Sequence, residues 1–236
     1  MPAFLAERDA EARELMDDPR CDVRTLERTY RRFALVNAVV SGQRALYRRW
    51  LRPRLRRSRP LRLLDVGTGG ADLPRRLLRW AEREGLAMTV LGIDPDERAI
   101  GFARRHPAPG LELRAVATGA LRADGERFDA VVSNHVLHHL GDDEVAAVLD
   151  DSAALLAPGG VAVHGDIERS RLAYAAFAAV TWPLQAGPLR DTFIRRDGLT
   201  SIRRSRTASE AAALAPAGWR VHRAFPSRLE LVRETP

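Results

Sequence analysis

Leu61-Arg62-Leu63-Leu64-Asp65-Val66-Gly67-Thr68-Gly69-Gly70-Ala71-Asp72 is the stretch whose reading decides the fold. An apolar run stops at an acid, a glycine-rich bend follows, and a segment with helical spacing begins at Asp72. This is the grammar of a buried parallel strand feeding a loop that admits a nucleotide-like ligand. Glycine lacks a Cβ, so the bend can adopt positive φ and a ligand can approach the backbone closely. The helix that follows directs unpaired N–H groups at that ligand.

Spacing separates the ligand classes that use such a loop. A dinucleotide fingerprint needs glycine at 67, 69 and 72, the last for close helix–strand packing. Position 72 is Asp, so the fingerprint fails there. Downstream, the alternation of strand and helix continues. Strands are expected at 61–66, 89–93, 111–117, 128–133 and 161–166, with helices at about 72–85, 97–105 and 142–156 between them. Short loops between alternating elements mean a parallel sheet covered on both faces. Two closing strands are read at 219–224 and 228–232, preceded by a helix whose capping box is Thr207-Ala208-Ser209-Glu210.

In an open parallel sheet the ligand lies outside the carboxyl ends of the strands. The residues at those ends are Asp65 with its glycines, Asp94, Thr118, Ser133-Asn134-His135 and Asp166. Asp94 ends the second strand, where an acid accepts both hydroxyls of a ribose.

Four motifs in order carry a family resemblance. Asp65-Val66-Gly67-Thr68-Gly69-Gly70-Ala71 resembles motif I of the class I S-adenosylmethionine-dependent methyltransferases, acid-x-Gly-x-Gly-x-Gly, with Ala71 in place of the last glycine. Gly92-Ile93-Asp94-Pro95 resembles the second motif, Phe128-Asp129-Ala130-Val131-Val132-Ser133-Asn134 the fourth-strand motif, and Leu156-Ala157-Pro158-Gly159-Gly160 the turn before strand five. Leu137-His138-His139-Leu140 is similar to a stretch common in the small-molecule branch, which includes quinone and polyketide methyltransferases. The resemblance implies an α/β, Rossmann-like sheet of seven strands with the last antiparallel. It implies S-adenosylmethionine as cofactor and S-adenosylhomocysteine as product. Asp65, Gly67, Thr68, Gly69, Gly70 and Asp72 would hold the cofactor, with Asp94 and Pro95 at its ribose and Asn134 at the end of strand four. Thr118 stands where the family has an acid that contacts adenine, and its hydroxyl would make that bond more weakly.

The expected reaction is methyl transfer to an oxygen, or less readily a carbon, of a small, largely apolar acceptor such as a phenolic polyketide or quinone precursor. His138 or His139 is read as the base, with Asp166 orienting it or sharing its proton. His135 lies in the same turn, facing the acceptor. No metal is expected, because the sulfonium already makes the methyl group electrophilic.

The flanking segments supply the acceptor's surroundings. Residues 3–18 have helical composition, and a long helical pattern runs over 22–50, with Gly42 as a break and Pro53 as a stop. Tyr30, Phe33, Asn37 and Tyr47 lie near one face of it and are expected to cover the substrate mouth. An insertion at about 170–206, opening with an apolar helix at 170–185, reads as a lid whose Tyr174 and Phe177 wall the acceptor. Arg203 or Arg204 could steady an anionic acceptor there. The chain thus divides into an N-terminal helical cap, 1–58, and a methyltransferase domain, 59–236, that carries the lid.

Charge is unevenly placed. Residues 20–60 hold thirteen arginines against two acids, whereas the remainder is net negative by four. Every basic residue in the chain is Arg, which points first to genome composition. The basic helix could also draw the enzyme peripherally to an anionic membrane. The arginines support an alternative as an RNA methyltransferase. Against it, no proline follows Ser133-Asn134, and Cys21, the single cysteine, sits outside the catalytic body. A non-catalytic cofactor-binding protein is the other alternative. One cysteine excludes an internal disulfide and any Cys-based metal cluster, and fits a reducing cytoplasm. The N-terminus shows no apolar signal core, and the longest apolar run, 172–180, is far short of the roughly 20 residues of a membrane helix. Nothing in the sequence sets the oligomeric state.

Overall fold

Strands that read as continuous apolar runs must be buried on both faces, and the structure meets this with one sheet between two helical layers. The computed structural model describes residues 4–236. Strands β1 (Leu61–Val66), β2 (Met88–Ile93), β3 (Leu111–Arg114), β4 (Phe128–Asn134), β5 (Leu156–Ile167), β6 (Arg220–Ala224) and β7 (Arg228–Glu234) lie in the order β3-β2-β1-β4-β5-β7-β6. The first five are parallel, and β7 runs antiparallel between β5 and β6. This is the seven-stranded α/β sheet expected from the sequence.

Helices α1 (Val23–Val40), α2 (Gln43–Leu46), α3 (Asp72–Arg83), α4 (Glu97–Arg104), α5 (Thr118–Ala123), α6 (Asp142–Ala154), α7 (Arg171–Leu184), α8 (Ile194–Arg204) and α9 (Ala208–Leu214) surround it. Alternate residues of the strands feed separate cores. Leu61, Leu63, Val90, Val132 and Val163 pack with α3 and the 46–55 segment, whereas Leu64, Val66, Leu91, Val131 and Leu231 pack with α6 and α9. The strand order reverses between β1 and β4, whose ends align at Val66 and Ser133, so a crevice opens there beyond the sheet. The capping box at α9 forms as read: Thr207 Oγ1 accepts from Glu210 N at 3.3 Å and Thr207 N donates to Glu210 Oε2 at 2.7 Å.

Several boundaries differ from expectation, each for a physical reason. Strand β3 stops at Arg114 rather than near residue 117, because its single partner β2 runs out at the Ile93–Arg114 pair. Strand β5 begins at Leu156 rather than residue 161. Pro158, Gly159 and Gly160 bulge between the Phe128–Leu156 and Ala130–Val161 pairs instead of preceding the strand. The lid contains a second helix, α8, beyond the apolar helix expected to open it. Its Gly198 lets the Phe177 ring of α7 pack where a Cβ would stand 2.4 Å from it.

The largest departure is at the N-terminus. Residues 1–3 lie outside the described residues, and over residues 4–18 the expected helix gives way to an irregular strap of turns and bends with one 3₁₀ turn, Leu15–Asp17. Its amides find partners elsewhere: Asp9 N donates to Arg203 O at 3.0 Å, and Leu15 N and Met16 N donate to the Asp197 carboxylate at 2.8 and 3.1 Å. Tertiary bonds have replaced the i−4 ladder.

The segment after the strap follows its pattern. Asp22 caps α1, and Leu26, Tyr30 and Tyr47 are buried while Arg24, Arg31, Arg32, Arg48 and Arg49 are exposed. Leu46, Tyr47, Trp50, Leu51 and Leu55 enter the same core as β1, so this segment is part of the sheet's packing. Tyr47 packs its ring 5.3 Å from that of Trp80 and does not reach the cavity, contrary to expectation. No described helix is long and apolar enough to cross a membrane.

Gly42 makes the break between α1 and α2 at φ +59°, and a Cβ there would stand 1.8 Å from Nη1 of buried Arg228. Gly42→Ala should therefore destabilise the protein by about 1–3 kcal/mol through backbone strain and displacement of the guanidinium. A denaturant midpoint equal to that of the wild type would contradict this packing.

Candidate active site

The glycine loop continues directly from β1. Gly67 and Gly69 hold φ of +67° and +51°, and a Cβ on Gly69 would meet nothing within 4 Å, so that backbone faces open space. Ala71, at the motif's last glycine, is fully buried at φ +57° and opens α3. Thr68 Oγ1 donates to Asp65 Oδ2 at 2.7 Å. Burial raises the Asp65 carboxyl to about 8, with Asp72 and Asp94 adding to the rise and the Thr68 bond opposing it. Asp94 ends β2 and turns back over the loop, where its carboxylate accepts from Gly69 N and Asp96 N at 2.9 Å each.

Asp72, the first residue of α3, meets the N-terminal helices. Its Oδ2 accepts from Gln43 Nε2 at 3.2 Å and Asn37 Nδ2 at 3.4 Å. Gln43 Oε1 is buried without a partner. An orphaned acceptor beside a carboxylate fits the cationic amino-acid end of S-adenosylmethionine, and the open face at Gly69 with Asp94 fits its ribose. Gln43 carries no motif that would have marked it in the sequence.

One cavity of about 810 Å³ joins this loop to a chamber under α1, α7 and α8. That is ample for a cofactor and an acceptor together. Among the expected residues, Asp65, Gly67, Thr68, Gly69, Gly70, Asp72, Asp94, Pro95 and Asn134 line it. So do Tyr30, Phe33, Asn37, Phe177, His135, His138 and His139. Thr118 does not: it starts α5, and its hydroxyl donates to Asp151 Oδ2 at 2.8 Å, away from the cavity. Tyr174 packs edge-on against Phe4 with ring centroids 5.0 Å apart, also outside it. Asp166 stands behind the wall, reaching the cavity only through His138.

The turn Leu137–His139 presents the histidines. His138 N donates to Asp166 Oδ2 and His138 Nδ1 to Asp166 Oδ1, both at 2.7 Å, so the ring is fixed as the sequence suggested. Its Nε2 meets Glu14 Oε1 of the strap at 3.4 Å. Glu14 is buried and also accepts from Ser201 Oγ of α8 at 2.7 Å. Burial opposes charge on His138, but Asp166 and Glu14 outweigh it and raise the imidazole to about 10. Burial likewise opposes ionisation of Glu14, yet His138 and His139 bring it down to about 2. In this arrangement His138 already carries the proton that a base would accept. Glu14 lies in a segment that read only as helical in composition, so no sequence signal marked it.

The other histidines are held differently. His139 donates from Nδ1 to Asp17 Oδ2 at 3.1 Å. His135 has φ +62°, its Nε2 is buried without a partner, and burial lowers it to about 4, so it is neutral. His164 is bonded to Ser133 and Ser152 at 2.7 and 3.0 Å inside the core, a structural role. Arginines pin the turn itself: Arg206 donates to Leu137 O at 2.8 Å, and Arg204 to His138 O and His139 O at 3.1 and 2.7 Å. Arg204 is thereby committed to backbone, and Arg203 pairs with Asp9, so neither faces an acceptor.

Sheet order, glycine loop and strand-end acids together define a class I methyltransferase. The chain belongs to the methyltransferase domain family, whose model matches residues 41–206. The enzyme class and S-adenosylmethionine dependence expected from the motifs are borne out by that membership. Among curated relatives, the ubiquinone biosynthesis O-methyltransferase of Sinorhizobium fredii (strain NBRC 101917 / NGR234) is 37% identical over 124 residues, covering 50% of this chain and 47% of that one. The chain thus spans about half the length of the curated relatives it matches. Of solved structures, the fold is similar to a TehB-like SAM-dependent methyltransferase from Corynebacterium glutamicum, with TM-score 0.57 and 18% identity, over 90% of this chain and 97% of that one. It is also similar to human N-acetylserotonin methyltransferase, with TM-score 0.59 and 13% identity, over 87% and 54%.

Asp94→Ala removes charge-assisted bonding worth about 1.5–3 kcal/mol, so S-adenosylhomocysteine should bind about 10- to 150-fold more weakly by calorimetry. Unchanged affinity would place the ribose elsewhere.

The Glu14–His138 contact also sets a pH dependence. His138 is raised from 6.5 to about 10, so its stabilising contribution is complete below 6.5 and is lost as pH rises toward 10. Glu14 is lowered from 4.5 to about 2, so its contribution is complete above 4.5 and is lost as pH falls toward 2. The melting-temperature margin of wild type over Glu14→Gln should be greatest near about pH 6 and shrink toward about pH 10. Titration of Asp65 is common to both proteins and cancels. A margin independent of pH would contradict the ion pair.

Proposed function

We propose that this protein transfers a methyl group from S-adenosylmethionine to an oxygen of a small, largely apolar acceptor of the phenol or quinol type. The observation that carries the reading is the single cavity running from the glycine loop into a chamber with mainly apolar walls. Tyr30, Phe33, Val36, Phe177 and Ile194 form those walls, and the histidine turn forms its polar end. The name of the Sinorhizobium relative supports an oxygen of a quinone-type molecule as the target. Seven acidic side chains and one arginine line the cavity, an arrangement that gives a phosphate backbone little to bind and supports a small molecule over RNA. The setting is proposed as cytoplasmic, supported by the lone free thiol of Cys21.

The cofactor, when bound, supplies an electrophilic methyl group on a sulfonium. The chain's residues do the rest. Asp94, Asp72 and Gln43 fix the donor end, and the apolar chamber places the acceptor so that its oxygen lies at the histidine turn, a gain in effective concentration. His138, held as an imidazolium by Asp166 and Glu14, carries a positive charge at the turn where the acceptor's oxygen lies, which favours a phenolate over a phenol. The strap and α8 close over this corner and keep water from the oxyanion.

Incubation with methyl-labelled S-adenosylmethionine and a panel of catechols, quinols, fatty acids and RNA should transfer label to a phenolic oxygen. Label moving only to RNA or to carboxyl groups would overturn the proposal. Within it, Phe33→Ala should raise the acceptor's KM about tenfold or more through lost apolar contact while leaving S-adenosylhomocysteine affinity unchanged.

A further inference from the structure

The histidine turn holds more order than an ion pair requires. His138 and His139 are adjacent, with ring centroids 4.3 Å apart. Each has its Nδ1 tied to a carboxylate from a different part of the chain, Asp166 at 2.7 Å and Asp17 at 3.1 Å. Each turns its Nε2 to the same third carboxylate, Glu14, at 3.4 and 3.8 Å. One ligating atom from each of Glu14, His138 and His139 lies within 4.8 Å of the others. A single imidazolium between Asp166 and Glu14 would account for His138 alone. It leaves unexplained why His139 repeats the same pattern with its own carboxylate.

A metal ion accounts for both. Ligating imidazoles characteristically donate their second ring N–H to a carboxylate, which fixes the ring and raises its basicity. Two ligands about 2.1 Å from a tetrahedral ion lie about 3.4 Å apart, close to the spacing of Glu14 and His138. We infer that His138 Nε2, His139 Nε2 and the Glu14 carboxylate form a site for one divalent transition-metal ion, with a remaining coordination position open to the chamber. Two imidazoles and a carboxylate select a borderline ion such as zinc, iron(II) or cobalt(II) over magnesium or calcium. The excess of carboxylates around the cavity favours a cation there, and the ion takes the place of the proton that His138 shares with Glu14. His139 is partly exposed, which leaves the ion a way in. The ion would also clamp the strap to the turn, since Glu14 and Asp17 both come from the strap. On the proposed function, the open position receives the acceptor's oxygen.

The test uses the full chain, treated with chelator and then titrated with cobalt(II) alone. One equivalent should bind and give visible d–d absorption bands, which zinc then abolishes. Glu14→Gln and His139→Ala should weaken cobalt binding beyond the about 10–100-fold typical of losing an outer partner, and Asp17→Asn should fall within that range. Asp17 is half exposed, so its variant reports on the site even where Glu14→Gln fails to fold. Circular dichroism and S-adenosylhomocysteine affinity, read alongside, should stay at wild-type values. A wild-type protein that binds S-adenosylhomocysteine but shows no stoichiometric cobalt spectrum overturns the metal site and leaves the methyltransferase reading intact. A spectrum unaltered in His139→Ala and Asp17→Asn places the ion elsewhere and also overturns it.

Discussion

The imidazole of His138, buried between Asp166 and Glu14, is the contact on which the rest of the site depends. It draws together the end of β5, the turn after β4 and a strap that would otherwise have no reason to cross the sheet's mouth. Buried charges persist only when paired, and breaking such a pair from one side costs about 3–5 kcal/mol. The surroundings are arranged accordingly. Ser201 donates to Glu14, and Asp197 of α8 accepts two amides of the strap beside it. Arg204 and Arg206 fill the turn's carbonyls, so the backbone carrying the histidines is held from behind. The lid, the strap and the turn form one cooperative corner.

The opposite end of the cavity is governed by different physics. There the sheet's switch point leaves a crevice, and the glycine loop lines it with backbone rather than side chains. Its acids are poised rather than paired. Asp65 is raised to about 8 by burial, and Gln43 Oε1 is left without a partner, so a cation arriving there relieves both. The donor end thus awaits a positive ligand, while at the acceptor end the His138 imidazole already stands between two carboxylates. The chamber between them is apolar because α1, α7 and α8 each turn an aromatic or aliphatic residue toward it, Phe33, Phe177 and Ile194 among them.

Much of this was determined by the sequence itself, and the reason is locality. A strand buried on both faces must be apolar along its whole length, so β1, β2, β4 and β5 announce themselves over a few residues each. The glycine loop, Asp94 and the α9 capping box are fixed by neighbours within four positions or by their place at a strand end. The contact of Asp166 with the histidine turn also followed, because the ends of β4 and β5 are adjacent in any sheet of this order. What only the tertiary structure decided are contacts whose partners lie far apart in the chain. Glu14 meets His138 across 124 positions, and its segment folds as a strap because Asp197 and Arg203 satisfy amides that a helix would have used. Thr118 and Tyr174 turn from the cavity because Asp151 and Phe4 offer nearer partners, and Tyr47 because Trp80 shares its core. The protonation of His138 belongs to the same class: an imidazole's charge is set by the carboxylates that folding brings to it, and no local spacing carries that information.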